Sequence, residues 1–93
     1  MKVVVRAQAL DDIDDLYAWI SRDNQAAALD MVRRVRERIS RLQTEELTYM
    51  GHPGLVKGTL ELLVRPYIVV YKVYKRRREI LVLSVIHGAR HRS

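Results

Sequence analysis

Apolar residues change their spacing once along this chain, and that change limits what it can fold into. Up to Leu42 they recur at three- and four-residue steps, whereas from Leu60 onward they form near-continuous runs broken by turn residues. The first pattern draws an apolar stripe along a helix, and the second suits strands covered on both sides. A helical half followed by a strand half predicts an α+β domain. At 93 residues the chain holds one hydrophobic core, residues 1–93 forming a single domain with no second domain and no large enclosed cavity. Its function therefore belongs on its surface.

Within the helical half, residues 2–6 are a short β-branched run that suits a strand. Leu10, Ile13, Leu16 or Tyr17, and Ile20 then mark a helix over about residues 8–21, with Asp11, Asp12, Asp14 and Asp15 on its polar side and near the positive end of its dipole. Arg22, Asp23 and Asn24 break the pattern, and Asp23 or Asn24 is placed to cap a second helix. That helix runs to about Leu42 on a stripe of Ala28, Val32, Val35, Ile39 and Leu42, with Arg33, Arg34, Arg36, Arg38 and Arg41 on its other faces. So short a link predicts an antiparallel helix hairpin.

Residues 44–59 contain Gly51, Pro53, Gly54 and Gly58 and predict a long loop, a feature often functional in a small domain. Three strands are expected at residues 60–65, 67–74 and 79–86, separated by Pro66 and by the run Lys75, Arg76, Arg77, Arg78. Short links favour an antiparallel meander. One face of this sheet must meet the helix hairpin; the other requires a partner or the return of the carboxy-terminal tail.

Cysteine is absent, which excludes a disulfide framework, a thiolate metal site and a cysteine nucleophile. No run has the length of a signal sequence or a membrane span, so the expected compartment is the cytoplasm, with no membrane partner. Charge divides unevenly: residues 1–46 carry 8 Lys+Arg against 9 Asp+Glu, and residues 47–93 carry 9 against 2. A field of that kind attracts nucleic acid and acidic proteins alike. His52 stands without neighbouring ligands, so no metal and no cofactor is expected.

The run Gly58, Thr59, Leu60, Glu61, Leu62, then Pro66 to Tyr71 with Tyr67, Val69 and Tyr71, then the ending His87, Gly88, Ala89, Arg90, resembles the Gly-Thr-x-Glu-Leu, Tyr-x-Val-x-Tyr and His-Gly-x-Arg pattern of the RelE/ParE toxin superfamily. The resemblance spans the whole chain and implies the fold just described: a strand, a helix hairpin and a three-stranded meander. It also implies the toxin component of a type II toxin–antitoxin system, neutralised by a cognate antitoxin wrapped over it in a hetero-oligomer. RelE-like members are ribosome-dependent endoribonucleases that cut messenger RNA. ParE-like members share the fold without that equipment and act on DNA gyrase.

Two departures favour the ParE-like branch. Where the cutting toxins commonly have arginine after the first tyrosine of the meander, this chain has Ile68, and no aromatic follows Tyr74 in the tail. A gyrase-binding toxin that is not an enzyme is therefore expected, with a ribosome-dependent endoribonuclease as the alternative and a basic nucleic-acid-binding module without toxicity as a third class.

Cutting RNA needs a base, an acid and cations for the developing phosphate charge. The candidates for those roles are His87, Arg90, Lys57 and Arg65, with Lys72 and His91 as further groups. Imidazole suits proton transfer near neutrality; a strand-end histidine bonded to backbone is the other reading of His87. For target binding the candidates are Lys57, Arg65, Lys72, His87 and Arg90. Lys57 also reads as a solvated loop lysine, and Arg65 and Lys72 as charges that guard a sheet edge. For antitoxin binding the candidates are Tyr17, Trp19, Arg36, Tyr67 and Tyr71. The tyrosines and Trp19 also read as core, and Arg76, Arg77 and Arg78 as a solvated turn.

Overall fold

The structure, a computed structural model, describes residues 1–91 and the side chains of residues 1–89. Its elements are β1 (Lys2–Val5), α1 (Ala7–Ser21), α2 (Gln25–Arg41), a 3-10 turn (Glu45–Leu47), β2 (His52–Pro53), β3 (Leu60–Val64), β4 (Tyr67–Tyr74), β5 (Glu79–His87) and the short α3 (Gly88–His91). The expected α+β fold is present. The strands form one sheet in the order β1-β5-β4-β3-β2. β3, β4 and β5 are the expected antiparallel meander, and β1 adds parallel to β5, with Val3 opposite Ile80 and Val5 opposite Val82. The sheet is therefore mixed: the helix hairpin carries the chain from β1 to the far side of the sheet, and the meander returns to set β5 parallel beside β1.

Asn24 is the residue that caps α2: its side-chain oxygen accepts the Ala27 N–H at 3.0 Å. The buried stripe of α2 is Ala28, Met31, Val35 and Ile39, continued by Leu42. Met31 takes the central place expected for Val32, which is half-buried at the margin of the core. On α1 the buried residues are Ala9, Ile13 and Leu16, and Leu10 is exposed instead. Sequence spacing alone does not separate neighbouring stripes when a small residue such as Ala9 is the one fully buried.

The aspartates of α1 do not serve the helix dipole, since none falls in its first turn. Asp12 instead reaches the sheet, where its Oδ2 accepts the Val85 N–H at 2.9 Å. This bond lies beside a bulge in β5: Val70 pairs with Ser84 and Tyr71 with Val82, so Leu83 has no partner across the strand pair. Arg6 Nε donates to the Leu83 carbonyl at 3.0 Å. A bulge shifts alternation by one residue, which is why Val82 and Val85 both enter the core and β5 reads as a continuous apolar run.

The long loop is more ordered than its composition predicts, and Tyr71 is the reason. Its ring is fully buried; its hydroxyl donates to the Thr48 carbonyl at 2.9 Å and accepts the Gly51 N–H at 3.0 Å. A Cβ on Gly51 would lie 2.8 Å from that hydroxyl, so glycine is required there. Tyr71→Phe leaves both backbone groups without their partner and should cost about 1–3 kcal/mol, read as a lower urea midpoint. Burial raises the phenol pKa above its ordinary 10.0. The contribution of the neutral phenol is thus complete below about pH 10 and is lost as pH climbs through the raised value, a dependence that Tyr71→Phe should remove.

Candidate functional site

One face of the sheet, formed by Leu62, Val64, Tyr67, Val69, Tyr71, Ile80, Val82 and Val85 with the helix hairpin above it, is the core. Among the described residues no helix crosses the centre of the opposite, outer face. By register it presents Val4, Leu81, Val70, Ile68, Ile86 and Leu63, with Lys2, Lys72 and Glu61 among them. Ile68 and Val70 are buried by their neighbours, while Leu63 is 38% exposed. Among the described residues only the start of α3 returns over this face, where Gly88 N–H donates to the Pro66 carbonyl at 2.8 Å and the glycine backbone lies against Ile68. The described residues otherwise leave this face uncovered, where the sequence requires a partner or the tail.

Several predicted target-binding residues border the outer face, at its two ends. Lys57 is exposed in the β2–β3 loop beside Gly58, which has φ +86° and approaches the Lys72 side chain. Lys72 is half-buried on β4. Arg65 is exposed at the opposite end, in the turn from β3 to β4, where it lines a shallow hollow with Leu63, Pro66, Ile68 and Gly88. His87 ends β5 opposite Tyr67, five residues from Lys72 along β4, or about 17 Å at roughly 3.4 Å per residue. The side chain of Arg90 and that of His91 lie outside the described residues, as does Arg92.

His87 is tied into the protein. Its ring meets Tyr67 edge-on with centroids 5.4 Å apart, and its Nδ1 accepts the Ala89 N–H at 3.2 Å. A strand-end histidine bonded to backbone is what the structure shows. On the helix side of this pair lies a cleft of about 330 Å³ walled by Asp12, Asp15, Trp19, Tyr67, Ile86 and His87.

The candidate antitoxin contacts divide. Trp19 is 60% exposed, with the Arg22 guanidinium 5.2 Å from its ring centroid. Tyr17 is half-buried, its hydroxyl accepting from Gln25 at 3.3 Å. Arg36 is exposed and borders an apolar groove of about 330 Å³ formed by Val3, Val5, Leu10, Ile13 and Ile39. That groove follows β1, an edge strand. Tyr71 is corrected from antitoxin contact to core, because its ring has no exposed surface and its hydroxyl is committed to the loop. Tyr67 is likewise almost wholly buried, and reaches the surface only as a wall of the His87 cleft.

Sequence reasoning missed how the basic turn is built. Arg77 lies 4.2 Å from the centroid of the Tyr74 ring and Lys75 lies 5.7 Å from that of Tyr49. Arg78, with φ +49°, bonds Glu45 at 2.7 Å and holds that carboxyl below its usual range. Tyrosines beside the cationic run were the available signal. No group of three His, Asp or Glu side chains among the described residues is placed to hold a metal ion.

Comparisons with known proteins agree with this geometry. The family model described as "ParE toxin of type II toxin-antitoxin system, parDE" matches residues 3–92. The chain is 33% identical over 83 residues to "Putative toxin Y4kP" of Sinorhizobium fredii, covering 87% of this chain and 81% of that protein. Among solved structures it resembles a chain of the chromosomal ParDE toxin–antitoxin system from P. aeruginosa, with a TM-score of 0.79, 26% identity and coverage of 94% of this chain and 95% of that one. A chain of the RelBE2 toxin–antitoxin complex from Mycobacterium tuberculosis shares the fold at a TM-score of 0.59 and 22% identity, over 92% and 95% of the two chains. From its first strand to its basic tail, the chain belongs to the ParE toxin family of type II toxin–antitoxin systems.

Proposed function

We propose that this ParE-family toxin arrests growth in the cytoplasm by binding DNA gyrase through the open outer face of its sheet, without catalysing a reaction of its own. The observation that carries this reading is the separation, among the described side chains, of Lys57 and Lys72 at one end of the sheet from His87 and Arg65 at the other. An acid–base pair and phosphate-binding cations must converge within hydrogen-bond reach of one scissile bond. Here Lys72 and His87 stand about 17 Å apart along the sheet by the rise per residue. Lys57 belongs to the Lys72 end, Arg65 stands in the turn at the His87 end, and buried Ile68 stands where a cation would face the phosphate. What the outer face does offer is apolar surface with a cationic margin, which suits a protein partner.

The antitoxin is proposed to occupy the other exposed apolar site, the groove along β1. Leu10 and Ile13 form its wall, Arg36 stands at its rim, and the edge of β1 has unpaired backbone groups that an added segment satisfies. The similar P. aeruginosa chain comes from a ParDE pair, which supports an antitoxin encoded with this toxin.

Expression of the chain without antitoxin tests the target. The expected result is filamentation with broken DNA and intact messenger RNA. Arrest with cleaved messenger RNA and intact DNA would replace gyrase by the ribosome.

A further inference from the structure

The end of the sheet farthest from His87 interleaves cations with aromatic rings. β4 ends at Tyr74, and Lys75, Arg76, Arg77 and Arg78 turn the chain into β5. The Arg77 guanidinium and the Lys72 ammonium lie 4.2 Å and 6.0 Å from the centroid of the same Tyr74 ring. Lys75 lies 5.7 Å from the Tyr49 ring, and that tyrosine is half exposed. Three cations of one hairpin are thus set against rings, in contrast to Arg78, which Glu45 neutralises.

That difference has an electrostatic consequence. A carboxylate partner would hold a cation and cancel its charge. A ring face holds it by about 0.5–1 kcal/mol at an exposed site and leaves the charge whole. Gly58, next to exposed Lys57, lies beside the Lys72 side chain, and Arg76 is exposed in the turn. Of the two carboxylates in this half of the chain, Glu61 accepts the Leu55 N–H, and Glu79 stands between Tyr74 on β4 and Lys2 on β1.

The cations therefore form a row of about 10 Å from Lys72 to the turn, at roughly 3.4 Å per residue. A single carboxylate would engage only part of such a row. An acidic protein segment would also need an apolar seat; Val73 and Ile80 turn into the core, and the outward Leu81 opposite Lys72 is half-buried. A polymer with a phosphate at every step matches the whole row.

We propose that the β4–β5 hairpin end is a nucleic-acid site, at which Lys72, Lys75 and Arg77 contact the phosphate backbone and Tyr74 and Tyr49 hold those cations in place. This goes beyond the gyrase reading and does not depend on it, because the site is expected to act on nucleic acid alone.

The test uses the full chain with a labelled duplex of about 20 base pairs, a single strand of that length, and polyglutamate, each titrated from about 50 to 200 mM salt. Wild type should bind nucleic acid with a slope of log K against log salt near −3, about 0.9 for each duplex phosphate neutralised and about 0.7 for each single-strand phosphate. The relative affinity of the two arms identifies the form preferred. Lys72→Gln with Arg77→Gln should weaken binding by about tenfold or more at low salt and reduce the slope by about 1.8 on duplex. Arg76→Gln with Arg77→Gln is confined to the exposed turn and should give the same direction of change without touching β4. Arg33→Gln with Arg34→Gln removes equal charge from the exposed side of α2 and should leave the slope unchanged. The proposal is overturned by equal losses in the hairpin and α2 variants, by absence of salt-dependent binding to both nucleic acids, or by preference for polyglutamate.

Discussion

Val35→Asp should remove much of the folding stability at 25 °C, and unfold the chain outright if the wild type lies at the low end of its range. Val35 is fully buried on α2 and packs into a core cluster of apolar and tyrosine side chains. An unpaired charge at such a site costs about 3–5 kcal/mol, and the volume lost with the valine methyls adds to it. A domain of this length has roughly 5–14 kcal/mol in total. Circular dichroism should show the helical signal lost, or retained only with a urea midpoint near zero. Arg36→Ala, one residue on and exposed, should shift stability by less than about 0.5 kcal/mol. Equal destabilisation by both would mean that the buried face of α2 is misassigned.

The residues that carry these expectations show how far the sequence reaches. Val35, Ile39 and the cap at Asn24 follow from helical spacing and side-chain chemistry, both local properties. The strand boundaries of β4 are legible for the same reason, since Pro66 and the four-cation run punctuate them. Met31 and Ala9, buried in place of Val32 and Leu10, are not legible, because the choice between adjacent stripes depends on what the helix meets in three dimensions. The bulge at Leu83 is hidden too: a run apolar at nearly every position has no alternation left in which a one-residue shift would show.

The candidate site was legible by residue type and not by arrangement. Lys57, Lys72, Arg65 and His87 are all recognisable as chemistry-bearing, yet nothing in their spacing says that two ends of a sheet separate them. Tyr71 illustrates the opposite error. A tyrosine in an apolar strand reads as a partner contact until Thr48 and Gly51, from a loop 20 and more residues earlier, are seen to take its hydroxyl.

The second large effect is expected at Leu63, a residue that no motif singles out. It is 38% exposed on the outer face, opposite Ile68, and lies outside the core cluster. Leu63→Asp therefore should cost less than about 1 kcal/mol in folding. On docking, however, a carboxylate at the apolar part of this face must lose water without gaining a partner, which at a central contact amounts to about 2 kcal/mol or more, or roughly a 30-fold loss of target affinity. Antitoxin binding, placed at the β1 groove on another part of the molecule, should be unchanged. Loss of toxicity with antitoxin capture retained is the expected pair of results. Loss of both would indicate misfolding, and loss of neither would remove the outer face from the account.

The central claim, a gyrase-binding toxin that catalyses nothing itself, is tested most directly by gyrase supercoiling measured beside cleavage of ribosome-bound messenger RNA, with purified wild type, Leu63→Asp and His87→Ala. The account predicts that wild type inhibits supercoiling and leaves the RNA intact, that Leu63→Asp loses the inhibition, and that His87→Ala retains it within a few-fold, because binding energy spread over a surface seldom rests on one histidine already tied to Tyr67 and Ala89. RNA cleavage by wild type that falls by about 100-fold in His87→Ala, with supercoiling untouched, would contradict the account and make the protein a ribonuclease.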